Sequence, residues 1–444
     1  MSHDWEIPFN QLVDSLLPQL QAKEQTKLTL TAETSQFTRF NRAKVRQTGS
    51  VTKGELELTL MASQRSASQS VPFTGEKTSD WPTLLAALAD LRTELPQLPE
   101  DPYLVLPAAE STSRDVYSGS LLSAEQVVPQ LLPPLAGQDA AGLYAGGKSI
   151  RAYADSAGAR HWFETETFTL DYSLFTADGQ AVKGTYAGRE WDDTAYEKTL
   201  SASKQQLSRM AQARKALTRG DYRTFLAPAA VADLVSILSW GAISEAALRR
   251  GGSALGPLQR GDRTLSNQLG LSEDFTQGQV PRFNQFGELA PSVLTLIEAG
   301  QLKNTLVSAR TAKEYGIDST YAESGEYLRS PVLAAGSLPT EQGLAELGTG
   351  LYVSNLHYLN WSDRPNGRIT GMTRYACFWV EDGEIAAPIE NLRFDESLYN
   401  FWGERLIDFT REQTFVPVVG SYGYRDLGGL TVPGMLVEGF AYTL

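Results

Sequence analysis

Residues 350–394 read GLYVSNLHYLNWSDRPNGRITGMTRYACFWVEDGEIAAPIENLRF. Strand-type alternation runs through this stretch, yet Asn355, Arg368, Thr370, Arg374 and Asn391 stand among aromatics where packing alone would favour Val or Leu. Period-two geometry places Leu351, Val353 and Asn355 on one strand face and Arg368, Thr370 and Met372 on another. An arginine near a threonine and an asparagine suits a carboxylate or a peptide backbone, which it holds in fixed geometry. The same side chains serve equally to satisfy buried backbone groups at a strand crossing. Asn355, Arg368, Thr370 and Arg374 are therefore the candidate substrate- or partner-contact residues.

Upstream, Leu12, Val13, Leu16, Leu17 and Leu20 repeat with helical spacing, disturbed by Pro18. The segments KLTLTAE, SQFTRF, AKVRQTG and GELELTLMAS alternate and predict an antiparallel meander with tight turns. A helix is expected over 81–94, opened by Asp80 and Pro82. Prolines 96, 99 and 102 then mark a connection, and a short helix fits 123–132. Strands return from Leu143 to Gly188, with HWFETETFTLDYSLF as one long strand. The clearest helix spans 193–217: Asp192 and Asp193 cap its start, and Arg209, Arg214 and Lys215 lie towards its end. YRTFLAP predicts a strand and 229–250 a helix stopped by Gly251 and Gly252. Residues 251–290 lack periodicity and read as a long loop or lid. Beyond them the pattern is mostly β, with helical pieces near 307–315 and 396–408 and a closing strand in TVPGMLVEGFAYTL. The class is α+β: an N-terminal α+β region of antiparallel meander sheets over 1–220, with a candidate subdivision near 96–120, and a C-terminal β-rich domain over 221–444.

Bulk properties bound the function. A chain of 444 residues predicts two or three domains, and 42% hydrophobic with 20% charged residues is ordinary for a globular protein. A net charge of −13, from 39 basic and 52 acidic side chains, argues against nucleic acid as a partner. Cys377 is the only cysteine, so no intrachain disulfide forms. The polar start MSHDWEIPFN shows no leader, and no window approaches a membrane span of about 20 apolar residues. A cytoplasmic location is expected, with no membrane partner.

Several motifs dissolve in context. Gly142 to Ser149, GLYAGGKS, matches a phosphate-binding loop by letter. That mechanism needs a buried strand before the loop and a helix after it, whereas IRAYADSAG alternates and then turns. The expected role is a glycine-bearing strand edge. His161 and Glu164 are three apart on a strand and point to opposite faces, His357 has no second histidine nearby, and His3 sits at the terminus. Gly251 to Leu255 misses the nucleophile-elbow pattern and follows a helix. Cys377, in the strand RYACFWVED, reads as an inert core thiol.

The opening stretch resembles the C-terminal signature of the TldD/TldE (PmbA) family. The landmarks are Tyr352-Val353-Ser354-Asn355, Thr370-Gly371-Met372-Thr373-Arg374, the turn from Trp379 to Ile385, and Pro388 ahead of Asn391-Leu392-Arg393-Phe394. Thr38 to Arg42 with Val45 and Gln47 is similar to the family's N-terminal meander, and Tyr153 to Thr167 to its central hairpin. The resemblance implies a two-part architecture and a role in cytosolic proteolysis. In this family a TldD-type and a TldE-type subunit form a heterodimeric zinc peptidase, linked to peptide-antibiotic maturation, antitoxin turnover and modulation of DNA gyrase. The TldD-type subunit carries a helical H-E-x-x-x-H motif. Its nearest counterpart here, VADLVSILSWGAISEAALRRGG from Val231, has Glu245 and no histidine. The chain thus resembles the TldE/PmbA-type subunit: a metallopeptidase-family protein not expected to be catalytic alone, with no catalytic residue assigned, no metal of its own and zinc expected only on a partner subunit. The implied partners are a TldD-type subunit or a second copy of this chain, and the substrate is a peptide or unfolded protein. The alternative is a stand-alone peptide-binding homodimer that captures peptide termini through Arg374 and Asn355 without catalysis.

Overall fold

Alternating side chains on two long strands build the first sheet. The computed structural model describes residues 4–108 and 110–443, so His3 lies outside the described residues. Strands β1 (Gln25–Asn41), β2 (Lys44–Ala62) and β3 (Arg65–Phe73) form an antiparallel meander. Helices α1 (Glu6–Leu16) and α2 (Lys77–Glu94) share a core with it. There Leu28, Leu30, Leu56, Leu58 and Leu60 meet Phe9, Leu12, Leu84, Leu88 and Leu91. Burying each such leucine contributes roughly 1.5–3 kcal/mol. The four strands expected from the sequence are two. The pattern changes phase at Ala32 and Glu33, both buried, without interrupting the ladder. The tight turn falls at Arg42 and Ala43, whose φ values of 52° and 51° suit a hairpin.

The sheet continues with β4 (Thr112–Tyr117), β5 (Asp139–Asp155), β6 (Arg160–Phe175) and β7 (Ala181–Gly188), in the order β3-β2-β1-β5-β6-β4 with β7 on the remainder of β6. β4 runs parallel to β6, a departure from a pure meander. Helices α3 (Ala124–Leu131) and α4 (Asp193–Met210) bring Val127, Leu131, Tyr196 and Leu200 onto Tyr144, Phe168 and Tyr172. Asp192 caps α4 by accepting the Ala195 N–H at 3.1 Å. The helix stops at Met210 instead of 217, and the Lys215 N–H is committed to the Pro388 carbonyl at 2.8 Å.

The second sheet starts at β8 (Gly220–Leu226) and collects β9 (Leu271–Asp274), β10 (Val293–Glu298), β11 (Gln301–Leu302), β12 (Pro331–Leu333), β13 (Gly350–Val353), β14 (Asn355–Asp363), β15 (Arg368–Arg374), β16 (Phe378–Glu381), β17 (Glu384–Pro388), β18 (Arg393–Ser397), β19 (Leu406–Pro417) and β20 (Gly429–Tyr442). The closing strand β20 is central, pairing with β8, β12, β18 and β19. The helix expected over 229–250 is broken into α5 (Pro228–Ser236) and α6 (Glu245–Arg249). Gly241 at φ 82° breaks it, and the Trp240 carbonyl accepts instead from Trp361 Nε1 at 3.1 Å. The stretch 251–290 is neither bare loop nor free lid. It holds the short helix α7 (Gly256–Arg260) and β9, and it docks on the first sheet: His161 Nε2 lies 3.1 Å from the Gly287 carbonyl and its ring stacks on Phe283 at 5.2 Å. Near 396–408 only a single turn, Asn400–Glu404, precedes β19. The fold is α+β. No helix among the described residues is long and apolar enough to cross a membrane.

Candidate functional site

The tip of the β19–β20 hairpin, residues 418–428, reaches across to the first sheet and is fastened there by one buried arginine. Arg425 Nε donates to Ser35 Oγ at 3.0 Å, Nη1 to the Thr167 carbonyl at 3.0 Å, and Nη2 to the Gly147 carbonyl at 2.7 Å. Its backbone N–H donates to Glu33 Oε2 at 3.1 Å. Burial pulls the guanidinium pKa down to about 10, against the nearby Glu33 carboxylate. Lys53 bonds the Gly423 carbonyl and sits 4.1 Å from the centroid of the Tyr424 ring. The glycine-rich stretch 142–149 finds its reason here. It lies within β5, between β1 and β6, so it is interior and not an edge. A Cβ on Gly147 would stand 2.2 Å from the Thr34 carbonyl oxygen. Arg425 was invisible as a functional residue in the sequence, because its partners lie hundreds of positions away.

Beside this clasp, between the two sheets, opens a cavity of ≈ 560 Å³. Arg151 of β5 lines one wall, Ser236, Ser239 and Trp240 another, and Val280, Pro281, Leu328, Leu427 and Leu430 give it an apolar surface. Trp240, Tyr327 and Val418, 55%, 45% and 41% exposed, also line it and reach solvent. Arg329 is fixed: it donates to the Phe283 and Pro281 carbonyls at 3.0 and 3.3 Å and lies over the Phe275 ring at 4.7 Å. Arg329 also stands 3.5 Å from Glu323, which accepts the Gln285 N–H at 3.0 Å. Arg151 is different. Nη1 donates to the Ile150 carbonyl at 2.8 Å, and burial pushes the guanidinium pKa down despite Glu33, Tyr424 and Asp426 nearby.

The four residues singled out in the sequence lie on the β14–β15–β18 ladder, outside the cavity lining. Arg368, Thr370 and Arg374 share a face of β15. Arg368 forks onto Asp395 Oδ1, with Nε at 2.9 Å and Nη2 at 2.6 Å, and Thr370 Oγ1 donates to the Phe394 carbonyl at 2.9 Å. Both therefore tie β15 to β18. Asn355 and Arg374 stand opposite one another across the ladder, and the Arg374 guanidinium rests 5.0 Å from the Tyr375 ring centroid. Behind this ladder Asp233 of α5 accepts the Leu356 N–H at 3.1 Å, and burial raises its pKa to about 7. His357 is pushed down by burial and by Arg374. Cys377 is buried, donates to the Arg374 carbonyl at 3.2 Å, and burial pushes its thiol pKa up.

The donor set of the α5–α6 segment does not fit a metal ion. It has no histidine, and its Glu245 is spent: Oε1 accepts Arg249 Nε and Oε2 accepts Thr305 Oγ1, both at 2.7 Å. His161 is occupied between Ser113 Oγ and the Gly287 carbonyl.

Residues 219–443 match the profile of the PmbA/TldA metallopeptidase C-terminal domain. The chain belongs to the PmbA/TldD family. The metalloprotease PmbA of Escherichia coli O157:H7 is 34% identical over 109 residues, a match that covers 24% of this chain and only 23% of that relative. TldE from Thermococcus kodakarensis shares the fold at a TM-score of 0.80 and 16% identity, over 98% of this chain and 100% of that one. Two candidate modulators of DNA gyrase share it as well. The one from Bacteroides thetaiotaomicron VPI-5482 has a TM-score of 0.77 at 16% identity, over 100% of both chains. The one from Thermotoga maritima MSB8 has a TM-score of 0.76 at 14% identity, over 99% of this chain and 100% of that one.

Proposed function

We propose that this PmbA/TldD-family chain is the non-metal, TldE/PmbA-type subunit of a cytoplasmic peptidase, with the zinc on a TldD-type partner subunit and a peptide or unfolded protein as substrate. The observation that carries the reading is the α5–α6 segment: the family's C-terminal domain is kept, while the segment offers no histidine and its glutamate is consumed internally. The chain then shapes a substrate chamber and presents a partner surface. The cavity between the sheets supports the first role, since its lining combines apolar side chains with charges of both signs, Arg151 and Arg329 beside Glu323 and Asp426, which suits a peptide better than a phosphate. For the second, β2 from Lys44 to Lys53 pairs only with β1, because β3 reaches no further than Gly54. That leaves an open strand edge among the described residues, the kind of edge that accepts a strand from another chain. Asn355 and Arg374 are further contact candidates on this reading.

The test is to assay the purified chain for bound zinc and for cleavage of unstructured peptides, alone and with a TldD-type partner. Chelator-sensitive cleavage only in the mixture is expected. Strong, chelator-insensitive cleavage by the lone chain would sink the proposal.

A further inference from the structure

Arg151 is a half-buried cation whose donors are mostly unused. A guanidinium carries five N–H donors. Among the described residues its one hydrogen bond runs to the Ile150 carbonyl, and no carboxylate lies within the 4.0 Å of an ion pair. Two neighbouring acids are engaged elsewhere: Glu323, itself in the cavity wall, by Arg329 and the Gln285 N–H, and Glu33 by the Arg425 N–H, Ser35 and Lys53. Asp426 also lines the cavity but is exposed. A partly desolvated cation with free donors is costly unless something uses it. The other arginine of the cavity, Arg329, is saturated by carbonyls, so the two are not equivalent.

We propose that the cavity is a binding site for the free C-terminal carboxylate of a peptide ending in an apolar residue. Arg151 takes the carboxylate through a bidentate pair of N–H donors, the geometry for which a guanidinium is suited. Val280, Leu328, Leu427 and Leu430 enclose the terminal side chain, and Trp240 covers it from the rim. The volume of ≈ 560 Å³ falls within the roughly 300–1,000 Å³ of small-ligand pockets. The inference deepens the peptide-handling reading above and rests on it for the substrate class.

The experiment is fluorescence anisotropy of the full chain with an unstructured, N-terminally labelled hexapeptide ending in Leu, as the free acid and as the C-terminal amide. The free acid is expected to bind about tenfold or more tighter than the amide, in line with a charge-assisted bidentate contact. Arg151→Gln should abolish that preference, Arg151→Lys should keep part of it, and Trp240→Ala should weaken both peptides alike. Asp426→Asn should tighten the acid by removing a nearby like charge. Equal binding of acid and amide, binding of neither, or a preference that survives in folded Arg151→Gln would overturn the site. The two proposals fail separately. Partner-dependent cleavage without acid preference removes this site alone. Acid-selective binding with no partner-dependent cleavage removes the subunit reading and leaves the site standing.

Discussion

Arg425→Ala should release the β19–β20 hairpin from the first sheet. Arg425 is 4% exposed, and its side chain supplies donors to Ser35, Thr167, Gly147 and Ser149, while Glu33 stands near it at 2% exposure. Each hydrogen bond from a charged donor is worth about 1.5–3 kcal/mol, but these act as a unit and the desolvation of the guanidinium offsets part of the sum. Truncating one member of a buried charged cluster costs about 3–5 kcal/mol, because the partners remain buried without it. That is the loss expected in urea denaturation. Limited proteolysis supplies the local readout: new cleavage within 418–428, with far-ultraviolet circular dichroism unchanged. Arg425→Lys, which keeps the charge and loses the fork, should fall between. A loss below about 1 kcal/mol with the hairpin tip equally protected would refute the clasp.

Three further outcomes are expected. Asp233 is raised from 3.8 to about 7, so between those values the folded chain holds a proton that the unfolded chain has lost. Stability therefore falls as pH rises through about 4–7, by up to about 4 kcal/mol, and Asp233→Asn should flatten the Tm–pH profile over that window. Gly147→Ala forces a Cβ to within 2.2 Å of the Thr34 carbonyl oxygen. It should cost about 3 kcal/mol in chemical denaturation, through overpacking between two interior strands. Arg368→Ala removes an ion pair whose side chains are 46% and 27% exposed, and should cost about 1 kcal/mol or less by the same measurement.

Local features were legible in the sequence because local chemistry creates them. The cap at Asp192, the alternation of β6 and the helical stripe of α1 depend on neighbours within a few positions. Errors gathered where distant contacts take over. The helix expected over 229–250 breaks where the Trp240 carbonyl bonds the Trp361 indole. The aperiodic stretch 251–290 is ordered because His161, Tyr117 and Tyr153 of the first sheet receive it. The face shared by Arg368, Thr370 and Met372 followed from period two. That Asp395 and the Phe394 carbonyl occupy the first two did not, since β18 joins β15 only in the folded sheet.

Residue identity and short spacing alone carry the α+β class, the family signature over 350–394 and the missing histidines in the segment from Val231. Which arginines are already spent depends on the folded arrangement. Arg368, Arg329 and Arg425 find their acceptors on other strands and loops, up to 390 positions away for Arg425 and Ser35, while Arg151 is left facing a cavity. A guanidinium is satisfied by whatever the fold brings within about 3 Å, and sequence separation carries no information about that distance.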